Sequence, residues 1–264
     1  MKNKDLNKLS NEARKLIIEM AYKSRSGETG SSLCIADILL TLYFKSLNID
    51  SKNPEKKDRD RFILSKGHGA AALFAVLYLK GFFKKEVLSG YRVNGGTLHG
   101  HPSLGLVPGI EVSTGSLGHG LAIGTGMALN LREKYPKSTV YGLMGDGECN
   151  EGSIWETAMI IKANNLKNIV IIIDDNEFQG FGKTSQTNKM PLKKEWEGFG
   201  FKIFEAQGHN HKDLEKKISL AKKYNGPTVV IAKTIAGKGV SKIEGTLNAH
   251  YFVPDEETYK ISQS

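Results

Sequence analysis

Cysteine is scarce in this chain of 264 residues: there are two, Cys34 and Cys149, far apart. That excludes a disulfide framework, and no His or Cys spacing has the form of a structural metal site. Long apolar runs are also missing. The longest, "LCIADILLTLYF" and "AAALFAVLYL", fall short of the roughly 20 residues a membrane-crossing helix needs, and read as buried helices. The start, "MKNKDLNKLSNEARK", lacks the apolar stretch of a secretion signal. A soluble cytoplasmic protein with no membrane contact is expected. Repeats, low-complexity tracts and nucleic-acid-binding motifs are absent as well.

What is present is a surplus of positive charge, +9 in all, on an otherwise ordinary composition with 39% hydrophobic and 25% charged residues. Such a surplus suits an anionic small ligand as well as a nucleic acid or a membrane surface. The lysines are dispersed. The densest stretch, "SKNPEKKDRDR", is interrupted by acids and reads as a solvated loop.

Periodicity organises the rest. Residues 5–24 carry Leu6, Leu9, Ala13, Leu16, Ile17 and Met20 at helical spacing. Apolar helices are expected over 33–46 and in "GAAALFAVLYLKG". A small-residue helix from Gly118 to Tyr135 is expected to pack closely on another backbone. Then "STVYGLM", "NIVIIID", "FKIFEA" and "PTVVIAK" alternate with helices at about 152–165 and 211–224. Continuous β-branched runs between helices predict an α/β fold: a doubly wound, mostly parallel sheet with helices on both faces. We expect one domain over 1–264, with a helical N-terminal segment over 1–50 and a C-terminal tail from about 240. Ligands of such sheets sit beyond the carboxyl ends of the strands.

Two of those ends are rich in chemistry. "YGLMGDGECNEGSIWE" runs from a strand into Gly145, Asp146 and Gly147, with Glu148, Glu151 and Glu156 following. A glycine turn opening a helix is an anion-binding device, and an acid inside it would repel a phosphate unless a cation lay between. The second end, "IIIDDNEFQGFG", supplies Asp174, Asp175 and Asn176, thirty positions after Asp146. One strand–helix–strand unit fits that interval and would bring both to one sheet edge. Asp146, the amide oxygen of Asn176, a backbone carbonyl at Phe178 and two phosphate oxygens would make a shell for Mg²⁺ or Ca²⁺. Taken singly, the first motif is as well read as a hairpin turn and the second as a strand-end cap. Their spacing favours a shared site. Five of the seven histidines, His68, His99, His101, His119 and His209, adjoin glycine, a pattern more typical of a ligand site than of a core.

The Gly-Asp-Gly and Asn pair resembles the thiamine-diphosphate motif. "RFILSKGHGAAALFAVLYLKG", "LHGHPSLGLVPGIEVSTGSLGHGLAIGTGMALN", "SGETGSSLCIADILLTLYF" and "AKTIAGKGVSKIEGTLNAHY" resemble, over nearly the whole chain, segments of the N-terminal half of transketolase. The resemblance implies thiamine diphosphate held through Mg²⁺ or Ca²⁺ by Asp146, Asn176 and Phe178. It implies cofactor contacts from Gly145, Gly147 and from Gly115, Ser116 and Leu117 under the aminopyrimidine side. His68 and His250 would touch diphosphate and substrate, and His101 the donor's hydroxyl. His99 and His119 would be supporting residues. Glu151 and Glu156 match acids at the subunit interface, although an exposed helix start accounts for them too. The activity implied is two-carbon ketol transfer from a ketose or its phosphate to an aldose.

The chain departs from that pattern in two ways. By the resemblance, the family usually has a histidine in the segment matched by "RSGETG", where this chain has Glu28. An acid there would disfavour anionic groups and suit hydroxyls or an amine, so an unusual sugar is expected, unless Glu28 merely faces water. The glutamate that activates the aminopyrimidine belongs to the family's second half. A separate C-terminal subunit carrying the pyrimidine-binding domain is therefore expected, in an α2β2 assembly inactive without it. The rival readings are a half-subunit of another thiamine-diphosphate enzyme, such as a deoxyxylulose-phosphate synthase or a decarboxylase, and a non-catalytic homologue. A nucleic-acid binder is a distant further alternative.

Overall fold

The computed structural model of the protein describes residues 5–188 and 190–263. Its main sheet is built from β1 (Arg61–Leu64), β2 (Val140–Gly145), β3 (Ile169–Asp175), β6 (Lys202–Gln207) and β7 (Thr228–Lys233). A two-stranded antiparallel hairpin, β4 (Phe178–Gln179) with β5 (Gly182–Lys183), follows β3. The sheet order is β1-β2-β3-β7-β6, and every neighbouring pair is parallel.

The strands alternate between two cores. Tyr141, Leu143, Val170, Ile172, Val230 and Ala232 face one side. There they meet α1 (Leu6–Ser24), α2 (Thr29–Thr41), α3 (Ala70–Lys80) and α8 (His211–Lys223). Val140, Met144, Ile169, Ile171, Ile173, Val229 and Ile231 face the other. There they meet α4 (His119–Lys134), α5 (Gly152–Ala163) and α7 (Leu192–Gly198). Both faces are apolar because both are covered, which is why the strands read as unbroken hydrophobic runs. The short α6 (Thr184–Thr187) follows the hairpin. Near the C-terminus lie α9 (Asn248–Tyr251) and α10 (Glu256–Gln263), the latter docked on α1 through stacked Tyr22 and Tyr259 rings 4.5 Å apart.

Local chemistry sets the ends of these elements. Asp5 caps α1 by accepting from the Asn7 amide, and Asn210 caps α8 by accepting from the amides of Lys212 and Asp213. Gly81, at φ 91°, stops α3 in the left-handed conformation that glycine tolerates best.

Three expectations need correction. The helix expected from residue 33 begins at Thr29, because Glu28 turns the chain at φ 64° and "TGSS" packs as helix despite its loop-like composition. It ends at Thr41 in a π turn over Leu42–Ser46. β1 was hidden in a segment read for its histidine; four residues carry too little periodicity to register. The basic stretch "SKNPEKKDRDR" is a solvated loop only in part. Asp60 is fully buried, accepts from the amides of Asn48 and Thr139, and pairs with Lys222 at 3.3 Å.

The small-residue helix α4 does pack on a backbone, at Gly120. A Cβ there would lie 2.5 Å from Ser65 Oγ and 2.7 Å from Ser65 Cα. Gly126, on the same helix, has open space instead. Gly120→Ala is therefore expected to cost about 1–3 kcal/mol by overpacking the junction of α4 with the end of β1, while Gly126→Ala is neutral or stabilising. Urea unfolding of the two variants checks this, and equal midpoints would contradict the close contact.

Candidate functional site

A cavity of about 510 Å³ opens at the carboxyl ends of β2 and β3. The start of α2, the turn after β1, the β4–β5 hairpin and α9 wall it. The strand register makes it. Gly145 lies opposite Asp174, and the Asp146 amide donates to the Asp174 carbonyl at 3.1 Å, so the tips of the two motifs meet.

Asp146 is buried there. Thr184 Oγ1 donates to its Oδ2 at 3.0 Å, while its Oδ1 is buried with no hydrogen-bond partner. Burial, followed by the nearby charges of Asp174 and Asp175, raises its pKa to about 7. An orphaned buried carboxylate oxygen is costly, and a cation is its natural complement. No three His, Cys, Asp or Glu side chains form a metal cage among the described residues. A cation at Asp146 would thus draw its other ligands from amide and backbone oxygens and from a bound anion, a donor set that fits Mg²⁺ or Ca²⁺. Asn176 and Phe178 line the same cavity. The Phe178 amide donates to Asn176 Oδ1 at 3.0 Å.

Beneath them lies a charged hub. Lys66 is 1% exposed and Asp174 0%, and Lys66 Nζ donates to Asp174 Oδ2 at 2.6 Å. Burial alone would drive both toward neutrality, but their mutual attraction outweighs it: the lysine is held above its ordinary value and the aspartate below. Asn176 Nδ2 and Cys34 Sγ also donate to Asp174 Oδ2, at 2.8 and 3.1 Å, and Thr234 Oγ1 donates to its Oδ1.

Three histidines line the cavity: His68, His101 and His250. The His68 and His250 rings lie 6.2 Å apart. Burial, helped by the positive charge of Lys66, pushes the His68 pKa down to about 3, and His250 is lowered by the same causes. Both imidazoles are neutral near pH 7 and can donate or accept at a hydroxyl. His99 and His119 are exposed and outside the cavity. His209 is elsewhere: its Nδ1 meets Asp37 Oδ2 at 2.7 Å and its Nε2 accepts from the Ile235 amide. The glycine-flanked pattern thus marked two cavity histidines and three others, and missed His250.

Of the remaining candidates, Gly115, Leu117, Gly145, Gly147, Glu151 and Glu28 all line the cavity. Ser116 is exposed on its loop and is not among the lining residues. Glu156 is exposed on α5. Glu148, read only as one acid of a cluster, is an internal cross-link. Its carboxylate accepts from Ser65 Oγ and from the amides of Gly118 and Gly145, the last two at 2.8 and 3.4 Å, tying β1, β2 and α4 together.

Glu28 does not stand alone. Arg92 NH2 donates to its Oε2 at 2.8 Å. Both residues adopt left-handed backbone, at φ 64° and 49°. Gly100 makes room for the guanidinium, since a Cβ there would lie 2.2 Å from Arg92 Nε. Two strained non-glycine residues in one ion pair at a cavity rim mark a built feature. Sequence reasoning missed Lys66, Asp174 as a hub, and Arg92. The one signal for Lys66 and Asp174 was the doubled acid at a buried strand end, which calls for a counter-cation; nothing in the sequence marked Arg92.

Comparison with known proteins gives this geometry a family context. The family model for "Transketolase, thiamine diphosphate binding domain" matches residues 6–261. The 6-deoxy-6-sulfo-D-fructose transketolase subunit SqwG of Clostridium sp. (strain MSTE9) is 39% identical over 98% of this chain and 94% of that protein. One of the apulose-4-phosphate transketolase subunits, from Phocaeicola vulgatus, is 39% identical over 95% of this chain and 90% of its own length. Among solved structures, the Campylobacter jejuni transketolase superposes with a TM-score of 0.92 at 31% identity, covering 98% of this chain and 42% of that one.

The buried charge at Asp146 has a measurable consequence. Its folded-state pKa is raised from 3.8 to about 7, so the native protein holds the proton more tightly than the unfolded chain. The stability associated with that proton is present below about pH 4 and lost as pH rises through 7. Without metal, Asp146→Asn should therefore be more stable than the parent at pH 8, by at most about 4 kcal/mol at 1.36 kcal/mol per unit. The advantage should shrink to nothing near pH 4. Denaturant melts of both proteins across this range test it; a pH-independent difference would show that Asp146 is not a buried uncompensated charge.

Proposed function

This chain belongs to the transketolase family, on the side of its N-terminal, thiamine-diphosphate-binding subunits, and from that premise we propose that it is the diphosphate-binding half of a two-subunit transketolase. One observation carries the site assignment: the partnerless buried Oδ1 of Asp146, at a strand tip beside Asn176. Asp146, the amide oxygen of Asn176 and the Phe178 carbonyl would hold Mg²⁺ or Ca²⁺, which would in turn take the diphosphate. Gly145 and Gly147, which line the cavity at the end of β2, would lie against the diphosphate. Gly115, Ser116 and Leu117 would flank the aminopyrimidine side. Glu151 would sit where the second subunit closes the site. When bound, thiamine diphosphate supplies the nucleophilic carbon and the electron sink that let a bond beside a carbonyl break and re-form.

The chain's own residues then have defined tasks. His68 and His250, neutral by burial, hydrogen-bond diphosphate and substrate oxygens and can pass a proton at a hydroxyl without bringing in a positive charge. His101 faces the same space and would hold the hydroxyl of the two-carbon unit. The reaction is transfer of that unit from a ketose or ketose phosphate to an aldose, in the cytoplasm. A C-terminal subunit bearing the pyrimidine-binding domain would complete the site in an α2β2 assembly.

Glu28 would select the substrate. Its Oε2 is engaged by Arg92, which leaves Oε1 to accept from a sugar hydroxyl, and the pair as a whole is neutral. The electrostatic penalty on an anionic sugar is accordingly smaller than that of a free acid. Selection rests instead on the direction of hydrogen bonding: a carboxylate accepts where an imidazole can also donate.

Two outcomes are expected. Thiamine diphosphate with Mg²⁺ should raise the melting temperature of the purified protein, by about 2.7 kcal/mol of stabilisation at a hundredfold excess over Kd, and Asp146→Asn should abolish the effect. A protein indifferent to the pair of ligands would overturn the site. Second, in the assembly with the C-terminal subunit, Glu28→His should change the ranking of aldose acceptors by kcat/KM at least tenfold for one acceptor relative to another, with cofactor affinity unchanged. An identical ranking would remove Glu28 from the substrate site.

A further inference from the structure

The cation site just proposed asks a question that its ligands do not answer. A carboxamide has an oxygen and a nitrogen of nearly the same shape, and only the oxygen can face a cation. Something must hold the Asn176 amide the right way round.

We propose that Asp174, anchored by Lys66, is the positioning residue that orients Asn176 so that its amide oxygen faces the cation. The inference rests on the reading of Asn176 as a metal ligand. Asp174 is the penultimate residue of β3 and 0% exposed. An ionised carboxylate is an acceptor only, so it can receive the N–H of Asn176 but repels its oxygen. Asn176 Nδ2 donates to Asp174 Oδ2 at 2.8 Å, and the Phe178 amide donates to Asn176 Oδ1 at 3.0 Å. Both contacts specify the same rotamer. A flip would set oxygen against oxygen on one side and N–H against N–H on the other.

The carboxylate cannot turn away. Lys66, Cys34 and Asn176 donate to one of its oxygens and Thr234 to the other, from four separate parts of the chain. Lys66 also keeps this second acid from adding a full negative charge beside Asp146. An outer partner of this sort typically changes metal affinity 10- to 100-fold when lost.

The experiment reverses the hydrogen bond. Asn176→Asp alone places a carboxylate against Asp174. Lys66 and Asn176 donate to the same oxygen of Asp174, so the compensating variant replaces the lysine as well: Lys66→Met with Asp174→Asn and Asn176→Asp leaves no unpaired buried cation and restores a donor–acceptor pair between positions 174 and 176, at the same local charge as the single variant. The readout is the Mg²⁺ concentration at half-maximal thermal stabilisation, taken at saturating thiamine diphosphate, with the melting temperature of the ligand-free protein as the folding control. The single variant should need at least tenfold more Mg²⁺ than the parent, although its ligand is now charged. The triple variant should return to within about threefold of the parent, with its ligand-free melting temperature close to the parent's. Tighter or equal Mg²⁺ binding by the single variant, or a triple variant as weak as the single, overturns the proposal. If the single variant does not fold, the triple decides against the parent, because an unoriented group would leave it tenfold or more weaker. A parent protein that ignores Mg²⁺ overturns the cation site itself and this proposal with it.

Discussion

The parallel register of β2 on β3 is the constraint on which the rest depends. With Gly145 opposite Asp174, the residues just beyond the two strands, Asp146 after one and Asn176 after the other, come to the same end of the sheet and line one cavity. A slip of one residue would turn each strand's side chains to the opposite face and part them. The register is secured by apolar residues alternating into two cores, both closed by helices, so that neither strand has a solvated face on which to slide. Packing and chemistry are thus coupled: the side chains that close the cores are the neighbours, along the chain, of those that form the site.

The charges at this edge follow from that geometry. Asp146, Asp174 and Asp175 are brought close together, and Lys66 neutralises only one of them. The pair it forms could hardly exist half-made, since a buried charge without its partner costs several kcal/mol. Asp175 is partly exposed and faces Lys233. Asp146 is left buried and short of one positive charge. A net charge of +9 over the whole chain is no contradiction: it draws anions toward the protein, while the local deficit admits a cation first. Acid at the strand tips and base elsewhere together suit a ligand that arrives as an anion and is held through a metal.

How much of this could be read from residues alone follows the range of each contact. The β2–α5–β3 unit is local, and the thirty residues from Asp146 to Asn176 revealed both the strand pairing and the shared edge. Lys66 and Asp174 are 108 residues apart, and nothing in "SKGHG" distinguishes a buried lysine from a solvated one. Arg92 and Glu28 are 64 apart, both in loop-like composition, and their left-handed backbone leaves no mark on sequence periodicity. β1 was too short to show a period. Glycine-flanked histidines were a mixed guide, because glycine beside histidine marks a tight turn, and tight turns serve structure at His209 as readily as they serve a cavity at His68.

The site divides by the kind of element that builds it. Its inner side stands on strand ends and on the Glu148 cross-link, which binds β1, β2 and α4 through buried hydrogen bonds. Its rim comes from loops: the turn holding Glu28, the segment with Arg92 and His101, and the short α9 with His250. Within the rim, the start of α2 and the His250 segment interlock at Gly30, where a Cβ would lie 2.3 Å from the Ala249 carbonyl oxygen. Rigid elements hold geometry, while loops tolerate substitution. A change at position 28, where Arg92 is braced against the side chain, is the kind of change the rim can absorb without disturbing the strand tips. On this division, two chains of the fold can share the strand-tip half of the cavity nearly residue for residue and still differ at its mouth.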